Sequence, residues 1–405
     1  MLEGTVGRVV GFFRRQKKPY RVNMAKNVVQ NFSLGLTQQY QSIYISELGA
    51  GPLELGYVSG IGGVAATLVT VPAGWMADRY GIRRMLLVAI ALNVVGYSIF
   101  GLAGSWQETI LAYSVVTVAM CVGLVVCPMI CGSTLKNEER VTGMQLCDTV
   151  AAIPRIVAPV VAAYLITRLG GISVEGIRPL FWLEAVGLIM AFAIIYLRFE
   201  DPRAGASIET LNPLAGLTRV FDEGMMVKRW LLYRMVSSLP RYMAFFVPLY
   251  ARELKGAGSY TLGLMDTGYW LLVVLLALPI GMSADRFGRK RLIALMTPVY
   301  SASLLVLVHA PNDTALILSG ALSAFLMLIS VTQGAINAEL VPREIHGSWF
   351  GLNGLCRGVV NIASPVLGGL IWEYLGPDYV FYFLALSQLV NLLILATMPE
   401  SATRG

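Results

Sequence analysis

The chain has 405 residues, of which 56% are hydrophobic and only 14% charged, with a formal net charge of +7 and a mean hydropathy of +0.66. A soluble domain carries about 25% charged residues, and a water-facing surface for a chain of this length cannot be assembled from so few. Composition therefore excludes a soluble enzyme and points to a chain solvated by lipid.

The first 23 residues are basic and mixed, as in "GRVVGFFRRQKKPYR", with no small-residue cleavage site; they read as a cytoplasmic N-terminal segment and not as a signal peptide. A helix crosses a bilayer in about 20 mostly apolar residues. Twelve such runs follow, near 24–46, 53–75, 85–104, 108–132, 141–167, 178–198, 230–252, 260–282, 291–310, 314–338, 346–374 and 379–398. Gly and Pro are frequent inside them, as membrane helices allow. Outer-membrane strands would alternate over about ten residues, and these runs are longer and more uniform. The expectation is an all-α membrane protein. Its parts are a six-helix bundle over 24–198, a polar, Pro/Gly-dotted cytoplasmic linker over 199–228, a second six-helix bundle over 229–398 and a tail over 399–405.

Lys and Arg set the orientation. With a cytoplasmic N-terminus, the cytoplasmic segments hold 23 of these residues, and the opposite side holds only Arg168, Arg178, Arg252 and Lys255. Both termini are expected in the cytoplasm of a multi-pass protein of the inner or plasma membrane. The positive charge is thus a topology signal; a nucleic-acid partner would need one basic groove, and the charge is spread over seven segments. All five cysteines fall inside predicted spans, where no loop disulfide is placed.

The chain says one charged phrase twice. "GWMADRYGIRR" begins at Gly74 and "GMSADRFGRKR" at Gly281, and their aspartates, Asp78 and Asp285, lie 207 residues apart. Glu47-Leu48 matches Glu253-Leu254, and Pro159 matches Pro365, so spans 1–6 and 7–12 are copies. An aspartate at such a place can accept from free N–H groups at a neighbouring helix start, where the dipole favours an anion. Glycines let helix ends approach.

Two copies of six spans with Gly-x-x-x-Asp-Arg-x-Gly after spans 2 and 8 resemble the major facilitator superfamily along the whole chain. The resemblance implies two pseudo-symmetric bundles rocking about a central cavity. Helices 1, 4, 7 and 10 would line it, 2, 5, 8 and 11 would form the moving interface, and the others would support from outside. It also implies a cytoplasmic latch made by Gly74, Asp78, Arg79, Gly81, Gly281, Asp285, Arg286 and Gly288. The first copy departs from the family phrase at Ile82, where the second has Arg289.

An ionisable side chain inside a span costs on the order of 2.5–3.5 kcal/mol on insertion scales, which makes it a functional candidate. Seven occur: Asp148, Arg155, Glu184, Arg234, Arg241, Asp266 and Arg357. Asp148 and Arg155 share a helix face, as do Arg234 and Arg241. Arg155 and Asp266 are expected partners across spans 5 and 8. Glu184 is expected on a peripheral helix, and Arg234, nearer the cytoplasmic end, could snorkel or serve the cavity. The acids Asp148, Asp266 and Glu184, with Arg155, are candidates for proton coupling or gating, because burial and a nearby guanidinium pull a carboxyl group in opposite directions. Span 1 is oddly polar: Asn27, Asn31, Gln38 and Gln41 fall near one face, and Gln333 and Asn337 echo them in span 10. Amides in a wet cavity are hydrogen-bonding groups for a solute. The candidate substrate-binding set is Asn31, Gln38, Arg241, Gln333, Asn337 and Arg357. Tyr40, Tyr242 and Trp270 could add aromatic contact.

Four arginines against three acids favour an anionic or zwitterionic small-molecule substrate. The reading is a monomeric secondary transporter, not an enzyme, that moves a small organic solute by alternating access. Proton-coupled efflux leads, and proton-coupled uptake of an organic anion is the alternative. Cys127 and Cys131 in "CPMIC" leave soft-metal (copper) transport as a remote third, though no resident metal or cofactor is expected. The efflux branch of the superfamily carries a Gly-rich phrase in span 5; here that place reads "AAIPRIVAPVVAA", and the Gly-containing form "SPVLGG" stands in span 11. A channel would not need the duplicated rocking half. An enzyme would need a nucleophile with a base, and two histidines leave little room for one. A sensor would carry a soluble output domain. No phosphate loop for a nucleotide is present.

Overall fold

The computed structural model describes residues 15–135, 140–201, 225–340 and 346–398. Its helices in chain order are α1 (Lys18–Thr37), α2 (Gln41–Glu47), α3 (Pro52–Tyr80), α4 (Ile82–Leu102), α5 (Trp106–Thr134), α6 (Arg140–Arg168), α7 (Val174–Arg198) and α8 (Met225–Met243). They continue with α9 (Phe246–Glu253), α10 (Ser259–Phe287), α11 (Arg289–Val308), α12 (Asp313–Leu322), α13 (Phe325–Glu339), α14 (His346–Tyr374) and α15 (Pro377–Ala396). These helices account for the twelve runs, and nine stretches among the described residues are long and apolar enough to cross a membrane.

Three runs are broken in two: α1/α2, α8/α9 and α12/α13. They are spans 1, 7 and 10. At each break the hydrogen bonding tightens without the chain leaving its path. Tyr40 N–H donates to the Thr37 carbonyl at 2.9 Å and Ala324 N–H to that of Ala321 at 3.1 Å, the three-residue spacing of a 3₁₀ turn. Span 1 also begins earlier than its apolar run, at Lys18, because Pro19 in the first turn is preset for a helix start. Met225–Lys228, expected in the linker, are already helical.

The two halves repeat one packing scheme. In the first, α1 packs on α6 and α7, α4 on α7, and α5 on α3 and α4; in the second, α8 packs on α14 and α15, α11 on α15, and α12 on α10 and α11. Among the described residues the short α2 meets α9, and two long helix pairs join the halves, α3 with α14 and α6 with α10. These are spans 2 with 11 and 5 with 8. Small residues make the approach possible, as they do wherever lipid offers no hydrophobic drive. A Cβ on Gly56 would lie 2.7 Å from the Pro365 carbonyl oxygen, on Gly63 2.9 Å from that of Asn361, and on Gly263 2.7 Å from that of Pro159. Leu68, Leu197 and Leu278, on the outside, are strongly exposed, as lipid-facing residues are.

The repeated phrase ends each time in a left-handed glycine, Gly81 (φ 85°) and Gly288 (φ 94°), a conformation only glycine adopts cheaply. Just beyond, Arg83 donates to the Tyr196 carbonyl at 2.7 Å, and Lys290, at the matching place, donates to the carbonyls of Ala396 and Met398. Each half therefore fastens the start of its third span to the end of its sixth. Asp201 adds a cap in the first half only among the described residues, accepting from the Arg83 N–H at 3.1 Å. The side chains of the latch aspartates Asp78 and Asp285 lie outside the described residues, as does the burial of Gly74; Arg79 and Arg286 are exposed beside Tyr80 and Phe287.

Candidate functional site

The near face of the molecule is where α1 begins and α15 ends; the far face is opposite. Among the described residues, four side-chain hydrogen bonds join the two bundles. Ser46 donates to Glu253 at 3.1 Å, Tyr40 to the Ser259 carbonyl at 2.9 Å, and Thr267 to the Ile156 carbonyl at 2.9 Å; the Thr167 and Ser259 hydroxyls meet at 2.7 Å. All lie between the far face and mid-depth. Tyr113 meets Phe245 edge-on across the same side.

At mid-depth the ionisable groups gather in two places. The first lies between the bundles. Arg155, on α6, donates from Nε to Asn31 Oδ1 at 2.7 Å and from Nη1 to Gln38 Oε1 at 3.0 Å. Its guanidinium stands 4.6 Å from the Trp270 ring centroid, on α10. Asp266, one turn before Trp270, is the nearby countercharge. The two do not form the expected ion pair within 4 Å; Arg155 is held by amides and an aromatic face, and Asp266 Oδ2 is buried without a hydrogen-bond donor. The cause is local: α1 carries Asn31 and Gln38 seven residues apart on one face, against the α6 face that carries Arg155.

Glu184 is enclosed. It is 0% exposed, packed inside the first bundle with Oε2 accepting from Thr37, Oε1 without a partner and Tyr97 beside it. Its helix is peripheral, but α1 and α4 close over the face that carries it. Asp148 lies on α6, and its side chain is outside the described residues.

The second place lies wholly in the C-terminal bundle. A cavity of about 20 Å³ is lined by Arg234, Ser237, Ser238, Arg241, Leu326, Ser330, Gln333 and Arg357. Two arginines come from one face of α8, two turns apart, and the third from α14. Among the described residues no carboxylate lines it. Gln333 fixes the first: its Oε1 accepts from Arg234, while its Nε2 donates to Tyr233 at 2.9 Å and Ser237 at 2.6 Å. Arg234 therefore does not snorkel; its head turns inward and its Nε has no acceptor. Arg241 has a single weak contact, to Met327 Sδ at 3.7 Å. Among the described residues the one ion pair within 4 Å is Lys18–Glu200, remote from this cavity.

Of the candidate substrate-binding residues, Arg241, Gln333 and Arg357 meet in this cavity. Asn31 and Gln38 are together at Arg155. Asn337 is a buried tie, accepting from the Trp230 indole at 3.0 Å, while its backbone carbonyl takes that of Trp349. Arg234 is the cavity residue that the candidate set omitted; the signal was its seven-residue spacing from Arg241. Cys131 is buried in a small cluster with Tyr20, Met24 and Cys147, and the side chain of Cys127 lies outside the described residues.

A family model described as Major Facilitator Superfamily matches residues 29–261 and 231–404. The "Probable galactarate/D-glucarate transporter GudP" of Escherichia coli (strain K12) is 19% identical over 368 residues, covering 80% of each chain. "Multidrug resistance protein 2" of Bacillus subtilis (strain 168) is 22% identical over 400 residues, covering 93% of this chain and 94% of its own. Among solved structures, a D-xylose-proton symporter superposes with a TM-score of 0.74 at 14% identity, over 94% of this chain and 97% of the other. The nucleoside transporter NupG superposes at 0.72 and 13%, over 94% and 98%.

Proposed function

We propose that this chain, which belongs to the major facilitator superfamily, is a proton-coupled carrier of a small organic anion, working in the plasma membrane by alternating access. The observation that carries the reading is the cavity lined by Arg234, Arg241 and Arg357 and, among the described residues, by no carboxylate. Arginine stays protonated, and charge at membrane depth needs a counterion; a bound anion supplies it. The likeness to a transporter named for two sugar acids supports the organic-anion reading ahead of general efflux, the reading that the multidrug likeness supports.

Coupling rests on the first cluster. Asp266 and Glu184 each present a buried carboxylate oxygen without a donor, which is where a proton would be held. A proton on Asp266 removes the countercharge of Arg155 at the joint between the bundles and changes the balance of that joint. With the termini cytoplasmic, as the Lys/Arg distribution indicates, far-face closure corresponds to a cavity open towards the cytoplasm.

The test is thermal unfolding of the purified protein with galactarate, a monocarboxylate, a phosphate ester and neutral sugar alcohols, since a specific ligand raises apparent stability. Anions are expected to stabilise and neutral solutes not. Arg241→Ala is expected to abolish the shift and Arg241→Lys to keep part of it, because the charge survives without the fork. Equal stabilisation by neutral solutes, or an unchanged shift in Arg241→Ala, would contradict the reading.

A further inference from the structure

We infer that the arginine seat takes a doubly charged phosphoryl head, that of a phosphate monoester, in preference to a carboxylate. This rests on the reading of that cavity as the substrate seat and names the chemistry of what enters it.

Charge is the first argument. Three guanidiniums from α8 and α14 line one small space with serines, a glutamine and a leucine. A single carboxylate would leave two positive charges uncompensated at membrane depth, where each costs several kcal/mol. A dianion leaves one.

Size is the second. The cavity offers about 20 Å³, and one water needs about 10–15 Å³ on the same measure. It holds one head group. Arg241 is exposed on one side of this space, so it is not closed; a phosphoryl group is the common biological head that places two negative charges in so small a volume.

Donor geometry is the third. Gln333 spends its amide on Arg234, Tyr233 and Ser237, so it orients the seat and is not left to bind solute. What remains is cationic fork geometry: Arg234 Nε, buried and without an acceptor, and Arg241, held only by a sulfur. Three terminal oxygens arranged tetrahedrally can meet three forks from different directions, whereas a planar carboxylate offers two oxygens in one plane.

The experiment is calorimetric titration of the purified full chain, at constant ionic strength, with methyl phosphate, inorganic phosphate, acetate and succinate. Methyl phosphate is expected to bind at least tenfold more tightly than acetate or succinate. Its affinity is expected to rise several-fold from pH 5 to pH 7.5 as the second phosphoryl proton, with a pKa of about 6, is lost. Arg241→Gln and Arg357→Gln are each expected to lose at least tenfold, and Arg357→Lys, which keeps the charge and guards against a mere folding defect, to lose less. Glycerol 3-phosphate and lysophosphatidic acid carry the same head on a soluble and a lipid body. Tighter binding of either than of methyl phosphate, with the same arginine dependence, supports the assignment and identifies the source. Succinate or acetate binding as tightly as methyl phosphate, through the same arginines, would overturn the phosphoryl assignment and leave the anion seat standing. Anion binding indifferent to all three arginine variants would overturn both.

Discussion

The guanidinium of Arg155 stands 4.6 Å from the centre of the Trp270 ring, so a charge belonging to the first bundle rests on an aromatic face of the second. Because Asn31 and Gln38 occupy two of its donors, the contact is preorganised, and it spans the interface that must shear when the bundles rock. Such a pair is worth about 0.5–2 kcal/mol, more when desolvated. Trp270→Leu is therefore expected to weaken far-face closure by about 1 kcal/mol. A cysteine placed at Ser46, on the far rim, should then be alkylated several-fold faster. An unchanged labelling rate would show that the contact bears no part of the closure.

The glycines of α3 make a second prediction. Gly56→Ala sets a methyl group 2.7 Å from the backbone oxygen of Pro365, and a backbone cannot swing aside as a side chain can. The α3–α14 seam is expected to separate, costing about 1–3 kcal/mol as overpacking does. Expression should survive while the far-face-closed state is depopulated, measured as lost cross-linking between cysteines at Ser46 and Glu253, whose side chains meet at 3.1 Å across the halves. Full cross-linking would contradict it.

The far rim is expected to respond to pH. Glu253 lies just beyond the seventh apolar run; partial burial pushes its carboxyl above the usual range, the facing Glu47 adds to this, and the hydrogen bond from Ser46 opposes it. Open to solvent, the same carboxyl has a pKa of about 4.3. The closed rim therefore binds the proton better than the open one. Protonation favours closure, fully below the ordinary value, and the advantage is lost as pH rises through the raised one. Double electron–electron resonance between far-rim spin labels should show more opening as pH rises across that window, and Glu253→Gln should flatten the response. Opening on acidification would reverse the assignment.

Asp266 and Glu184 are separable. Asp266→Asn is expected to remove the pH dependence of net transport while leaving solute exchange, because a permanently neutral group still lets the carrier rock. Glu184→Leu leaves the buried Thr37 hydroxyl without its acceptor, at a cost of about 1–3 kcal/mol, so its first effect is on the melting temperature. Glu184→Gln, which keeps an acceptor, should restore most of that. Equal melting of the Leu and Gln variants would count against this role.

Much of the architecture was legible because lipid imposes it. Long apolar runs can only be spanning helices, and two copies of one phrase at Gly74 and Gly281 announced two copies of one bundle. The left-handed glycines that end the phrase, Gly81 and Gly288, were visible as its closing letters. Partnerships across the bundle were not. Arg155 was matched to Asp266 by charge, yet Asn31, 124 positions away in sequence, holds it, since periodicity says which residues share a face and not which face lies opposite. Arg234 stays open for a related reason: depth along a helix allows snorkelling, while Gln333 on α13 turns its head inward. Glu184 was placed at the periphery from its helix, and only the packing of α1 and α4 shows that its own face is closed. The breaks in spans 7 and 10 fall among apolar residues, and that in span 1 falls at Gln38–Tyr40, where the polarity reads equally as a wet face.

The claim that Arg234, Arg241 and Arg357 together seat an anion for transport is tested most directly in proteoliposomes. Counterflow of labelled phosphate esters, carboxylates, neutral sugars and lipophilic cations would be compared between the native chain and a variant with all three arginines changed to glutamine. The account predicts exchange of an anion class by the native protein, loss of that exchange by at least tenfold in the variant, and no exchange of neutral or cationic solutes by either. Retained anion exchange in the variant, or native exchange confined to neutral or cationic solutes, would contradict it.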